Sequence, residues 1–168
     1  MGGDVGGGGD VGGGVGGDAS KGVGRLSGRG PRGGLVDVAA VTAAWEDALA
    51  APPWPGPPVW VHSDLMPGNL LVSAGRLTGV IDFATAGVGD PACDLMVAWN
   101  LLPAEARPAF RAAAGADDAT WARGRGWALA QALIALPYYL DSNPAMAANA
   151  RHVIREVLAD LITGGRLG

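Results

Sequence analysis

The 168-residue chain has one cysteine, one lysine and two histidines. Cys93 stands alone, which rules out an internal disulfide and a thiolate metal cluster and makes it a buried apolar residue rather than a nucleophile. Two histidines are too few for a histidine-rich ligand set, which counts against a metal-dependent hydrolase. No apolar run reaches the roughly 18 residues that a membrane helix needs. The N-terminus shows no basic start followed by an apolar block, so no secretory signal is expected. Charge is scarce at 17%, with a net value of -4, which argues against a nucleic-acid partner. A cytoplasmic protein that binds neither nucleic acid nor membrane is the expectation.

What the chain has in excess is glycine, and unevenly: of 29 glycines, 17 fall in residues 1–34. That tract has no apolar periodicity, and each glycine would lose the most backbone entropy on folding. It reads as a disordered segment. Its G-x-G-x-x-G at Gly12, Gly14 and Gly17 lacks the preceding strand and following helix that a phosphate loop requires. Residues 35–164 are hydrophobic enough, and long enough, to form one domain with a real core.

Within that domain, Leu35, Val38, Val41, Trp45 and Leu49 recur at helical spacing, with Asp37 or Thr42 near the start. Five prolines in residues 51–58 end the helix and form a stiff connector. Three short strands follow, over 59–62, 70–73 and 77–81, with Ala74-Gly75 as a hairpin turn between the last two. Residues 83–90 read as a loop. From Pro91, capped by Asp90, the chain turns helical. Pro103, Gly115, Pro137 and Gly164-Gly165 mark helix ends, and Asn143-Pro144 starts the last helix. The order is helix, small strand cluster, helices: an α+β fold, mainly helical.

The chemistry is concentrated in residues 59–94. Asp64 follows the first strand, Asn69 opens the second and Asp82 ends the third. A hairpin would bring Asn69 and Asp82 to the same end of the sheet. An amide oxygen and a carboxylate are hard ligands suited to Mg²⁺, with phosphate and water filling the other positions. A carboxylate that orients a hydroxyl, beside metal ions that bridge phosphates, is what phosphoryl transfer requires.

These residues resemble the aminoglycoside phosphotransferase family, the kinase-like enzymes that phosphorylate small-molecule hydroxyls. The catalytic-loop pattern H-G-D-x-x-x-x-N matches His62-Ser63-Asp64-Leu65-Met66-Pro67-Gly68-Asn69. The metal motif matches Ile81-Asp82-Phe83, and Gly89-Asp90-Pro91-Ala92-Cys93-Asp94-Leu95 matches the segment that follows it. The resemblance runs, less specifically, to about residue 160. It implies a protein-kinase-like C-terminal lobe, with ATP as co-substrate and Mg²⁺ as cofactor. It makes His62 and Asp64 the catalytic-loop pair: Asp64 is the base, and His62 holds the loop by hydrogen bonds. Asn69 and Asp82 bind the metal and through it the nucleotide. Asp90 and Asp94 brace the site.

Three features depart from the family, the least of them Met66, at a position often filled by a polar residue. Ser63 stands where the family has glycine, which costs about 1 kcal/mol if φ is positive there. The N-terminal lobe that covers ATP has no counterpart: Lys21, the only lysine, lies in no strand, and Glu46 has no lysine partner. The expectation is therefore a truncated phosphotransferase lobe whose activity on its own is open, acting on an aminoglycoside-like antibiotic or a metabolite. The alternative is a non-catalytic binding module derived from such a lobe. Apolar surface facing the absent lobe would favour self-association or a partner lobe.

Overall fold

The computed structural model describes residues 34–165. The glycine-rich tract up to residue 33, with its Gly12, Gly14 and Gly17 pattern and Lys21, lies outside the described residues.

Asp37 caps the first helix, α1 (Val38–Ala50), by accepting a 3.1 Å hydrogen bond from the Ala40 amide. Strand β1 (Val59–Val61) pairs antiparallel with β4 (Gly87–Gly89), and β2 (Leu70–Ser73) pairs antiparallel with β3 (Arg76–Val80). Ala74 and Gly75 both have positive φ, 49° and 72°, the type I′ geometry that matches strand twist. β4 corrects the loop expected over 83–90. A Gly-Val-Gly segment carries no strand signal of its own, and its pairing with β1, Trp60 opposite Val88, makes it one. The helix expected from Pro91 is also different: residues Pro91–Met96 wind as a 3₁₀ helix before α2 (Val97–Asn100). Asp90 caps this segment as expected, accepting from the Ala92 amide at 2.9 Å.

The rest is helical: α3 (Arg107–Ala113), α4 (Asp118–Tyr139) and α5 (Pro144–Thr163). Asp117 and Asn143 cap α4 and α5 through their side chains. Hydrogen bonding from Thr120 holds the Asp117 carboxyl below its usual range. That cap is therefore at full strength above the ordinary carboxylate range and is lost as pH falls through the lowered value. Pro137 does not end α4, which continues to Tyr139. The proline costs one amide bond, to the Leu133 carbonyl, and the two residues beyond it stay helical.

α4 and α5 form the centre of the core, where Leu129, Leu136, Val153, Val157 and Leu161 are fully buried together with Trp99 and Met96. α1 packs against them, but not by the stripe expected: Val41, Ala44 and Ala48 are buried, while Val38, Trp45 and Leu49 are exposed. The cause is close approach, since a Cβ at Gly126 of α4 would lie 2.8 Å from the Ala48 Cβ. Only small side chains fit that contact. Arg125, itself buried, ties the three helices with 3.1 Å bonds to Asp47 of α1 and Asp160 of α5. At Gly124 a Cβ would meet the Leu95 Cβ at 2.8 Å, so α4 lies directly against the 3₁₀ segment. That segment is the base on which the strand cluster and its loops sit.

Candidate active site

The antiparallel pair β1–β4 delivers His62 and Asp64 from one side, and the β2–β3 pair delivers Asn69 and Asp82 from the other. The two halves are joined by His62. Its ring is buried, with Nε2 2.9 Å from the Ile81 carbonyl and Nδ1 accepting from the Asp64 amide at 3.3 Å. This network puts the ring proton on Nε2. Phe83 packs edge-on against the ring at 4.7 Å, and the Thr85 hydroxyl donates to the His62 carbonyl at 3.0 Å. Both ring nitrogens are thus occupied with the protein's own backbone.

Asp94 anchors the loop from below. Its two carboxylate oxygens accept from the His62 and Ser63 amides, each at 2.8 Å, across more than thirty residues of chain. Ser63 has φ 68°, the left-handed geometry that favours glycine. Its carbonyl accepts from Gln131 of α4 at 3.2 Å. Ser63→Gly should therefore relieve about 1 kcal/mol of backbone strain, offset in part by added unfolded-state entropy. The expected outcome is a small rise in melting temperature; a fall would show that the serine side chain stabilises the loop. Cys93 lies beneath this turn. Burial pushes its thiol up, the opposite of what a nucleophile needs.

Asp64 and Asn69 are bonded to each other. The Asn69 Nδ2 donates to the Asp64 carbonyl at 2.9 Å and to its Oδ2 at 3.0 Å. That fixes the orientation of the amide and leaves the Asn69 Oδ1 and Asp64 Oδ1 without a partner among the described residues. The Ile81 amide donates to the Asn69 carbonyl at 3.0 Å, extending the β2–β3 ladder one step and placing Asp82 next to Asn69. Asp82 is itself left-handed, φ 62° and ψ 65°. Its carboxylate is exposed and has no hydrogen-bond partner among the described residues. An unpartnered carboxylate one residue past the backbone partner of Asn69, whose amide oxygen is also free, is a donor set suited to a divalent cation with oxygen ligands. The described residues contain no group of three His, Cys, Asp or Glu side chains that could hold a metal. Mg²⁺ does not need one when phosphate oxygens complete its shell.

The residue pattern of the phosphotransferase enzyme family matches residues 25–127. The chain belongs to the phosphotransferase enzyme family. All of the residues just described except Gln131 fall inside the matched range. An aminoglycoside 3′-phosphotransferase of Escherichia coli is 40% identical over 58 residues, which are 34% of this chain and 21% of that protein. Two crystal structures of a thermostable mutant of aminoglycoside phosphotransferase APH(4)-Ia also align, at 25% identity. The apo form has a TM-score of 0.47 over 75% of this chain and 46% of its own. The ternary complex with AMP-PNP and hygromycin B has a TM-score of 0.48 over 74% and 45%. The chain thus spans about a fifth of the curated relative and under half of the solved chains.

Asp90 is braced as well as capping. Arg123 donates to it through Nε at 2.7 Å and also bonds the Pro52 carbonyl, tying the proline connector to the site's base. Gln131, Thr85 and Arg123 are supporting residues that the motifs do not mark. Only Gln131 carries a sequence signal, as a lone polar residue in the apolar run 127–136. A wider cavity of about 470 Å³ is lined by Arg107, Arg111, Trp121, Glu156 and Asp160. None of its residues comes from 59–94. Its arginines are engaged, Arg107 with Glu156 and Arg111 with Asp118. The site is therefore placed by its chemistry rather than by the size of the cavity.

Proposed function

We propose that residues 35–164 form the catalytic lobe of an ATP- and Mg²⁺-dependent phosphotransferase that acts on a hydroxyl of a small molecule. The observation that carries this reading is the Asp64–Asn69 bond beside the unpartnered Asp82. It leaves one free oxygen on each of Asp64 and Asn69 and both oxygens of Asp82. The Asp64 Oδ1 orients the acceptor hydroxyl and takes its proton. The acceptor oxygen forms a bond to the γ-phosphorus while the bond to the β-phosphate oxygen breaks, and ADP leaves. Asn69 and Asp82 would hold Mg²⁺, which would supply charge neutralisation at the phosphates. His62 and Asp94 are positioning residues: they fix the loop that carries Asp64.

The similarity to an aminoglycoside 3′-phosphotransferase supports an aminoglycoside-like acceptor, and a metabolite hydroxyl fits the same chemistry. ATP as co-substrate suits action in the cytoplasm. Trp60 and Val88, 79% and 59% exposed on the β1–β4 pair, and exposed Phe83 offer an apolar face to a partner lobe or a second copy. The test is to incubate the full chain with Mg²⁺, ATP and a panel of hydroxyl compounds and to read phosphorylated acceptor by mass. Transfer that stops when Mg²⁺ is chelated is the expected result. ATP hydrolysis with no phosphorylated acceptor would contradict the reading.

A further inference from the structure

A small cleft opens beside the catalytic loop, between α2, α4 and α5. Met66, two residues past Asp64, forms one wall; Asn100, Gln131, Met146, Asn149 and Val153 line the rest, with alanines of α4 between them. It joins the loop at two points. The Met66 amide bonds the Asp64 carbonyl at 2.9 Å, and Gln131 bonds the Ser63 carbonyl. None of the residues lining it is ionisable.

The polar atoms come as amides. Asn149 donates to the Asn100 Oδ1 at 3.2 Å, which leaves the Asn100 Nδ2 as donor and the Asn149 Oδ1 as acceptor. Flipping both amides exchanges these roles and keeps one of each. Gln131 spends its Nε2 on Ser63 and leaves Oε1 as a second acceptor. No partner for any of the three atoms occurs among the described residues. Donors and acceptors side by side match hydroxyl groups, which are both. An ammonium group only donates, and moving it into a cleft without a carboxylate carries an uncompensated desolvation cost. The methionines and alanines supply an apolar floor for a ring face. The cleft's volume, about 40 Å³, takes one edge of such a ring.

Resting on the phosphotransferase reading, we propose that this cleft is the acceptor subsite, and that it selects a neutral, hydroxyl-bearing ring with an apolar face over a polycationic aminoglycoside. Asn100, Gln131 and Asn149 are its specificity-determining residues.

The test uses the full chain labelled with ¹⁵N, reading the side-chain amide signals of Asn100, Gln131 and Asn149 by NMR. The probes are methyl α-L-fucoside, neutral with one methyl edge, and kanamycin, a polycation. Saturable shifts of these three amides with the fucoside are expected, and binding of kanamycin there should be at least roughly tenfold weaker. Asn100→Asp keeps the acceptor for Asn149 and adds a carboxylate, so it should reverse the preference; Asn149→Asp gives a second, more exposed route to the same reversal. Tighter binding of kanamycin by the unaltered chain, or no saturable shift with the fucoside, would overturn the proposal. Mg·ATP binding, measured on the same sample, separates the two readings. Its loss with the fucoside shifts intact rejects the phosphotransferase, and its presence without the shifts rejects only the acceptor subsite.

Discussion

Asp94→Ala should lower the stability of the chain by about 3 kcal/mol, a fall of roughly 10 °C in melting temperature. Two amides at the turn into the loop that carries Asp64, those of His62 and Ser63, lose a charged acceptor at 2.8 Å each. Hydrogen bonds to a charged group contribute about 1.5–3 kcal/mol apiece, and the lower end applies at this half-buried site. Leaving the donors unpaired adds to the loss, because Ser63 already holds a left-handed φ that needs support from its surroundings. Asp94→Asn gives an internal calibration. An asparagine has one acceptor oxygen, so it keeps one bond and turns an amino group towards the other donor. Its loss should be intermediate. Denaturant unfolding of the three proteins tests the order. Asp94→Ala within about 0.5 kcal/mol of the unaltered chain would mean that the loop is held by something else.

Asp64→Asn should lower phosphoryl transfer by 10²–10⁴-fold, on the order of what a positioned general base contributes. The substitution is nearly isosteric, and an asparagine oxygen can still accept from the Asn69 Nδ2. The fold and the amide geometry of Asn69 should therefore survive, and the melting temperature should hardly move. What is lost is the negative charge and the ability to take a proton from the acceptor hydroxyl. Apparent affinity for ATP should change little, because the proposed metal-holding groups are Asn69 and Asp82. Steady-state rates with saturating acceptor, alongside KM for ATP, provide the check. A drop smaller than about tenfold would assign the base to another residue.

Much of the site was legible because motif chemistry is local. Asn69 lies five residues past Asp64, and one tight turn brings the two side chains together. Asp90 could be placed as a cap because a cap bonds an amide two or three residues on. Contacts across long stretches of chain were not legible in the same way. Asp94 was expected to brace the site, but its hold on two adjacent amides depends on the 3₁₀ winding of residues 91–96. β4 is a strand only because β1 is beside it. Trp45 and Leu49 follow helical spacing, yet the Gly126–Ala48 contact turns α1 so that they face outward. The left-handed backbone of Asp82 has no sequence signature, although aspartate tolerates that geometry better than most residues. The serine at position 63, by contrast, could be read as a strained residue as soon as a glycine was expected there.

The central claim is that Asn69 and Asp82 form a metal-nucleotide site next to Asp64. Titration calorimetry of Mg·ATP into the full chain and into Asp82→Ala tests it most directly. Asp82 makes no hydrogen bond among the described residues, so its removal breaks no contact of the fold, and the backbone cost of alanine at this left-handed position is read separately from the melting temperature of the variant. The account predicts measurable binding by the unaltered chain that weakens by at least roughly tenfold, about 1.4 kcal/mol, in the variant. Equal affinity in the two proteins, or no Mg·ATP binding by the unaltered chain, would contradict it.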